Sequence, residues 1–421
     1  IYYANKWRSV LLSGMGSGGF GYFALDVTKP DSPTFLFAFQ NNPTEKTIYH
    51  WNADGDRKDL GYTVGIAPEF DYSKLGETWS TPVIMAMPYD STTKSNNTEK
   101  RRWVAVFGAG YNGSVNTDYG SAVYVIDMED EGKVLKRIDL SESVDSNGVT
   151  ISNNIANSVP AALTAITPDT TSKANYKGGM FYFADLEGKF WKLNLTNTGS
   201  LYDITQIFDA EATHANDRMA FFSVRPSIGN DGNLWMYYGT GNQQKLQRIS
   251  SDIANKVYGF KDEDFPVFKK ISKRSVNKDL NDTTSGGMCP TSADLGWYVN
   301  LDKHEKVSGE LTVMNEIVSA PRYTPKTDNI CKPGTSKLTE HNYACGNTLR
   351  STNLGEGIAT GMVIHKGKGY IGITGEGSGD IKDKDGKVIG KRNNNIIMIT
   401  PLSGGSKPQG PATYESWREV F

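Results

Sequence analysis

STPVIMAM (80–87), RRWVAVFGAG (101–110), SAVYVIDM (121–128) and KVLKRIDL (133–140) form a phrase of four short apolar runs separated by turn residues. The phrase recurs. A second copy opens at Ser158-Val159-Pro160 and runs ALTAI (162–166), GGMFYFADL (178–186), GKFWKLNL (188–195) and ITQIF (204–208). A third opens at Ser223 and Pro226 and runs RPSIG (225–229), NLWMYYGTG (233–241), NKVYGF (255–260) and PVFKKI (266–271). Four strands per unit, repeated in tandem, are the pattern of a β-propeller, an all-β ring of sheets.

The rest of the chain extends the count. WRSVLLSGMGSGG, FGYFALDVT and TFLFAFQ, within 7–40, read as strands. GIATGMVIHKGKGYIGITGEG (357–377) and NNNIIMITP (393–401) form a further unit, with Lys366-Gly367-Lys368-Gly369 turning a hairpin. The final TYESWREVF (413–421) supplies a last strand, and pairing between the two chain ends would close the ring. The expectation is six or seven blades, with seven preferred, at about 40–50 residues per blade. Residues 1–421 then form one propeller domain, interrupted at 272–355 by an irregular polar insertion. Asp26, Asp127 and Asn194 each end an apolar strand, where a short polar side chain bonds the amides of the turn that follows.

Composition removes several function classes. The formal net charge is −2, without the basic stripe of a nucleic-acid binder. No apolar run approaches the ~20 residues of a membrane-spanning helix. Ile1 lies inside a strand-like stretch, so the sequence is expected to begin within a longer protein. GSGGFG (16–21) lacks the following helix that a phosphate-binding loop uses. The five histidines are scattered, and neither GxSxG nor HExxH occurs. The chain therefore reads as a non-enzyme.

Two sites are expected. In WNADGDRKDLGYT, residues Asn52, Asp54 and Asp56 alternate, with Asp59 beyond. Alternate oxygen ligands in a tight loop suit calcium at about 2.3–2.6 Å. The sixth and ninth loop positions are Arg57 and Leu60 instead of Gly and an acid, so the match is partial, and a plain acidic turn is the competing reading. Of three cysteines, Cys331 and Cys345 flank a short polar stretch and are expected to pair, leaving Cys289 over.

WRSVLLSGMGSGGFGYFALDVTKP, DLGYT (59–63), ETWSTPVI (77–84), WVAVFGAGYNG followed by AVYVIDM, FADLEGKFWKLNL, LGWYVNL and PRYTPKTDNICKPGT run in one consistent order along the chain. Together they resemble the C-terminal domain of the PilC/PilY family of type IV pilus biogenesis factors and pilus-tip adhesins. The resemblance implies a modified seven-bladed propeller, exported and displayed at the pilus tip, cell surface or outer membrane. It implies a role in opposing pilus retraction and supporting host-cell attachment. The implied partners are pilin or minor pilin subunits, a host-cell receptor and the N-terminal domain of the same protein, with no nucleic acid. The family's calcium loop would fall in ITPDTTSKANYKGGMFYFADLEG, where Asp169 is the one acid before Asp185. Long loops at 40–78 and 331–345, and aromatic anchors such as Trp51, are the expected contact points. The rival readings are a quinone-dependent dehydrogenase, kept in view by eight tryptophans, and a carbohydrate-binding scaffold propeller.

Overall fold

The computed structural model describes residues 1–3, 6–88, 101–113, 119–140, 155–167, 178–196, 199–271, 274–329 and 331–402. Within them the chain is laid out as six successive sheets of four or five strands, with short 3-10 turns as its helical elements. The first sheet is Val10–Gly14, Gly21–Asp26, Thr34–Asn42, Thr47–Trp51 and Arg57–Gly61. The second is Val83–Pro88, Arg101–Gly108, Ala122–Asp127 and Val134–Asp139. The third is Thr164–Ile166, Met180–Ala184, Lys189–Asn194 and Ile204–Asp209, with Ser275–Val276 on its edge. The first two copies of the repeated phrase thus correspond to the four-stranded antiparallel meanders of the second and third sheets.

The fourth sheet differs from its sequence reading at one strand. Its members are Arg225–Ile228, Leu234–Gly239, Lys256–Asp262 and Gly296–Asn300, flanked by Asn281–Asp282. PVFKKI is not its fourth strand. That segment returns to the third sheet, where Ile271 N donates to Thr205 Oγ1 at 2.9 Å and Lys192 Nζ donates to Val267 O at 3.0 Å. Nor is 272–355 irregular throughout. It contains the fourth sheet's closing strand and most of a fifth sheet: Lys306–Val307 and Thr312–Met314 beside Ile317–Thr324, then Thr335–Asn342 and Thr348–Glu356. The sixth sheet is Ala359–His365, Lys368–Ile373, Ile396–Ile399, Val388–Asn393 and Ser378–Lys382 in spatial order. TYESWREVF lies outside the described residues.

Short-range chemistry sets the strand ends. Asp26 Oδ1 accepts from Thr28 N, Asp127 Oδ1 from Glu129 N and Asn194 Oδ1 from Thr196 N, at 2.8–3.0 Å. The same bond recurs at Asp209 and Asp262. Each satisfies a turn amide that has no ladder partner. Lys366 and Gly367, both at positive φ, make the two-residue turn between His365 and Lys368, as a tight hairpin requires.

Packing runs from each sheet to the next. One apolar cluster joins the first and second sheets, and four others join the remaining neighbours in turn. In the first junction Phe39 stacks on Tyr72 at 3.8 Å, and Tyr22 lies 4.4 Å from Phe107. Each such ring contributes about 1.5–3 kcal/mol by leaving water. The middle strands Ala122–Asp127, Met180–Ala184 and Leu234–Gly239 are buried at every position. A sheet covered on both faces needs an unbroken apolar run, which is why these three read so clearly.

Candidate functional site

The sixth sheet breaks that rule. Met362, Ile371, Ile373, Ile397 and Ile399 point into the junction with the fifth sheet. Their neighbours face the other way: Val363 is 68% exposed, Ile396 53%, Met398 40% and Tyr370 37%. Val363, Tyr370 and Met398 lie opposite one another in register, so they form one cross-strand row. Lys391 extends the row on the next strand. At the other end of the series, the first sheet exposes Leu11 and Phe35, which both pair with Leu25. The terminal sheets thus each carry exposed apolar side chains that are neighbours across strands.

A second concentration of chemistry is internal. The hairpin between Met180–Ala184 and Lys189–Asn194 carries Asp185, Glu187 and Lys189, all buried, and Asn157 meets them from the entry to the third sheet. Asp185 Oδ2 accepts from Trp191 Nε1 at 2.9 Å and from Asn157 Nδ2 at 3.2 Å, while Oδ1 accepts from Lys189 N at 3.1 Å. Glu187 Oε2 touches both Asn157 Nδ2 and Lys189 Nζ. Leu186 sits in an apolar patch with Tyr111, Ile155, Ala212 and Met219. In FADLEGKFW the acid-acid-lysine alternation lies inside an apolar hairpin and so forces charge indoors, a signal that the turn chemistry of the segment masks.

Burial pushes the Asp185 carboxyl up to about 7, against the opposing pull of the Lys189 charge. An unfolded aspartate titrates near 3.9. The folded value is the higher one, so between roughly pH 4 and 7 the native state keeps a proton that the unfolded chain has lost. This group's contribution is therefore fully present below about pH 4 and is lost as pH rises through 7. Urea unfolding of the chain and of Asp185→Asn, which does not titrate, should give a stability difference that shifts steadily against the unsubstituted chain from about pH 4 to 7 and is level above that. A flat difference would contradict it.

The expected calcium residues are not gathered. Asn52–Asp56 is the turn between Thr47–Trp51 and Arg57–Gly61, and Asn52 Oδ1 accepts from Asp54 N and Asp56 N. Asp59 lies on the following strand opposite Tyr49 and pairs with Arg57 at 2.7 Å. One oxygen is spent on the turn and one carboxylate on a guanidinium, so the set does not fit a cation. Among the described residues no group of three or more His, Cys, Asp or Glu is arranged for a metal. Asp169 lies outside the described residues. Trp51 is half-buried in the first sheet, edge-on to Tyr49, and much of the 40–78 loop is that sheet's outer hairpin.

The cysteine pairing is corrected. Cys289 bonds Cys345, and Cys331 is free and exposed. Between Cys331 and Cys345 runs the strand Thr335–Asn342. Eight extended residues cover about 26 Å, which carries the two thiols to opposite ends of the fifth sheet.

Comparison with known proteins places this geometry. No family model matches the chain. A type IV pilus biogenesis factor PilY1 homolog of Xylella fastidiosa is 24% identical over 360 residues, covering 80% of this chain and 21% of the relative. PilY1 of Pseudomonas aeruginosa is 26% identical over 195 residues, 46% of this chain and 12% of the relative. The chain therefore spans about a fifth or less of these two relatives. The crystal structure of the P. aeruginosa PilY1 C-terminal domain superposes with a TM-score of 0.53 at 13% identity, covering 94% of this chain and 81% of that one.

Proposed function

We propose that this chain, whose sequence and fold are those of a C-terminal domain of the PilC/PilY kind, serves type IV pilus biogenesis by gripping other proteins and makes or breaks no bond in a substrate. The observation that carries the reading is the coincidence of two things. The likeness to a pilus biogenesis factor runs through most of the chain, and the rigid series of sheets ends in apolar faces. The strip Val363, Tyr370, Ile396 and Met398 on the sixth sheet is the contact surface in this reading. Pilin or minor pilin subunits, the rest of the same polypeptide and a host-cell receptor are its partner classes. Display at the pilus tip or cell surface, opposition to retraction and host attachment follow from that role. No helix among the described residues is long and apolar enough to cross a membrane.

The test separates assembly from adhesion. Val363→Asp with Met398→Asp alters exposed side chains, for which stability changes stay within about 0.5 kcal/mol. The full-length protein carrying this pair should leave retraction-competent cells with as few pili as cells lacking the gene. Removing the retraction motor should restore pili in both. Wild-type piliation and adherence in the variant would dismiss the strip as the contact surface.

A further inference from the structure

We propose that Lys189 and Asn157 are joined by an intramolecular amide bond, formed without an added reagent and promoted by Glu187. The inference stands apart from the pilus reading and rests on the buried centre of the third sheet.

A lysine ammonium carries three donors and is among the costliest groups to bury unless its hydrogen bonds are met. Lys189 Nζ is wholly buried and makes no hydrogen bond of acceptable geometry among the described residues. It is packed instead onto Glu187 Oε2, the same oxygen that accepts from Asn157 Nδ2. A nucleophilic amine, a carboxamide and a carboxyl oxygen touching both nitrogens therefore share one water-poor pocket. Asp185 Oδ2 holds the carboxamide from the other side at 3.2 Å, and Trp191 fixes Asp185 through its indole N–H. Burial favours the neutral form of Glu187, so this carboxyl can hold a proton while it touches both nitrogens. Holding reactants in one fixed geometry replaces a bimolecular encounter with a unimolecular step.

The step balances without an outside reactant. Proton transfer from the ammonium to the Glu187 carboxylate leaves a neutral amine. Nζ attacks Cγ of Asn157, forming the N–C bond. Glu187 passes its proton to Nδ2 and takes one from Nζ, the Cγ–Nδ2 bond breaks, and ammonia departs. No atom is oxidised or reduced. The product replaces a buried ammonium that needs three acceptors by a neutral amide with one N–H, which removes the charge-burial cost. The new bond closes a ring across residues 157–189. It staples the entry of the third sheet to its central hairpin, so that pulling on the chain cannot peel them apart.

Mass spectrometry of the denatured, reduced 421-residue chain decides the matter. The expected mass is lower than the sequence mass by one ammonia. A tryptic digest should contain one branched species uniting the peptide of Asn157 with that of Lys189, uncleaved at Lys189. In Glu187→Gln and Lys189→Met the branched species should be absent. An intact mass equal to the sequence mass overturns the proposal, because the reading is made on the unsubstituted chain and does not depend on how the variants fold. Loss of ammonia without the branched peptide also overturns it, since a cyclic imide at Asn157-Ser158 would give that result.

Discussion

Lys192→Met should destabilise the domain by about 3–5 kcal/mol, the cost of stranding one member of a buried ion pair. Lys192 Nζ lies 2.6 Å from Asp262 Oδ2, with side-chain exposures of 1% and 4%. The pair bridges two sheets, since Lys192 is on the third and Asp262 ends a strand of the fourth. Tyr182 Oη donates to the same Asp262 oxygen at 2.6 Å, and Asp264 N donates to the other at 3.2 Å. Without Lys192 the Asp262 carboxyl is left with two neutral donors and no cation, and Val267 O loses its donor. The double variant Lys192→Met, Asp262→Asn should recover most of the loss. Its amide oxygen can still accept from Tyr182, and no charge remains indoors. Chemical unfolding of the two singles and the double gives the coupling directly. If Lys192→Met alone lies within 1 kcal/mol of the unsubstituted chain, the pair does not fasten these sheets together.

The contrast between legible and hidden parts of this fold follows from the same physics. The second, third and fourth sheets were readable because water touches neither face of their central strands. VAVFG, MFYFA and LWMYY therefore run apolar without a break. The strand-ending acids were readable because the turn amide they serve is two residues away. The fifth sheet was hidden because its buried strand Thr335–Asn342, TSKLTEHN, is written in polar letters. Those letters are satisfied by partners that local sequence does not reveal. Glu340 takes the Arg350 guanidinium. His341 Nε2 takes a proton donor from Arg322 at 2.8 Å, while its other nitrogen lies 2.9 Å from Gly346 O. Burial drives the His341 imidazole down to about 3, so it remains neutral. Composition cannot separate such a strand from a solvated loop, because pairing across 10 to 20 residues makes the difference. The fourth sheet's last strand was misplaced for a related reason: the chain first returns to the third sheet, and PVFKKI is apolar enough to imitate the strand it postpones. The exposed strip on the sixth sheet reads in sequence merely as apolar, because a pattern of alternation says which residues share a face and not whether that face is covered.

Cys345→Ser and Cys289→Ser should each lower stability by about 4 kcal/mol, and Cys331→Ser should leave it unchanged. The magnitude follows from the chain entropy released when a loop is opened, which for the 56-residue separation of Cys289 and Cys345 amounts to about 4 kcal/mol. Position reinforces the effect. Cys345 sits in the turn between Thr335–Asn342 and Thr348–Glu356, next to Gly346, whose backbone packs against Trp297 of the fourth sheet. Trp297 is fully buried and donates from Nε1 to Tyr343 O at 2.8 Å. The bond therefore ties the excursion before Gly296–Asn300 to the fifth sheet, beside the ring that packs those two sheets together. Opening it frees a long loop and loosens the seat of Trp297 at once. A 331–345 bridge would close a far shorter loop, entirely within one sheet, and would make Cys331→Ser and Cys345→Ser equivalent. Urea midpoints of the three serine variants, each with and without reductant, distinguish the pairings. Reductant should bring the unsubstituted chain and Cys331→Ser down to the level of the other two, and should not move those two further. Equal loss from Cys331→Ser and Cys345→Ser, with Cys289→Ser unaffected, would overturn the inter-sheet staple.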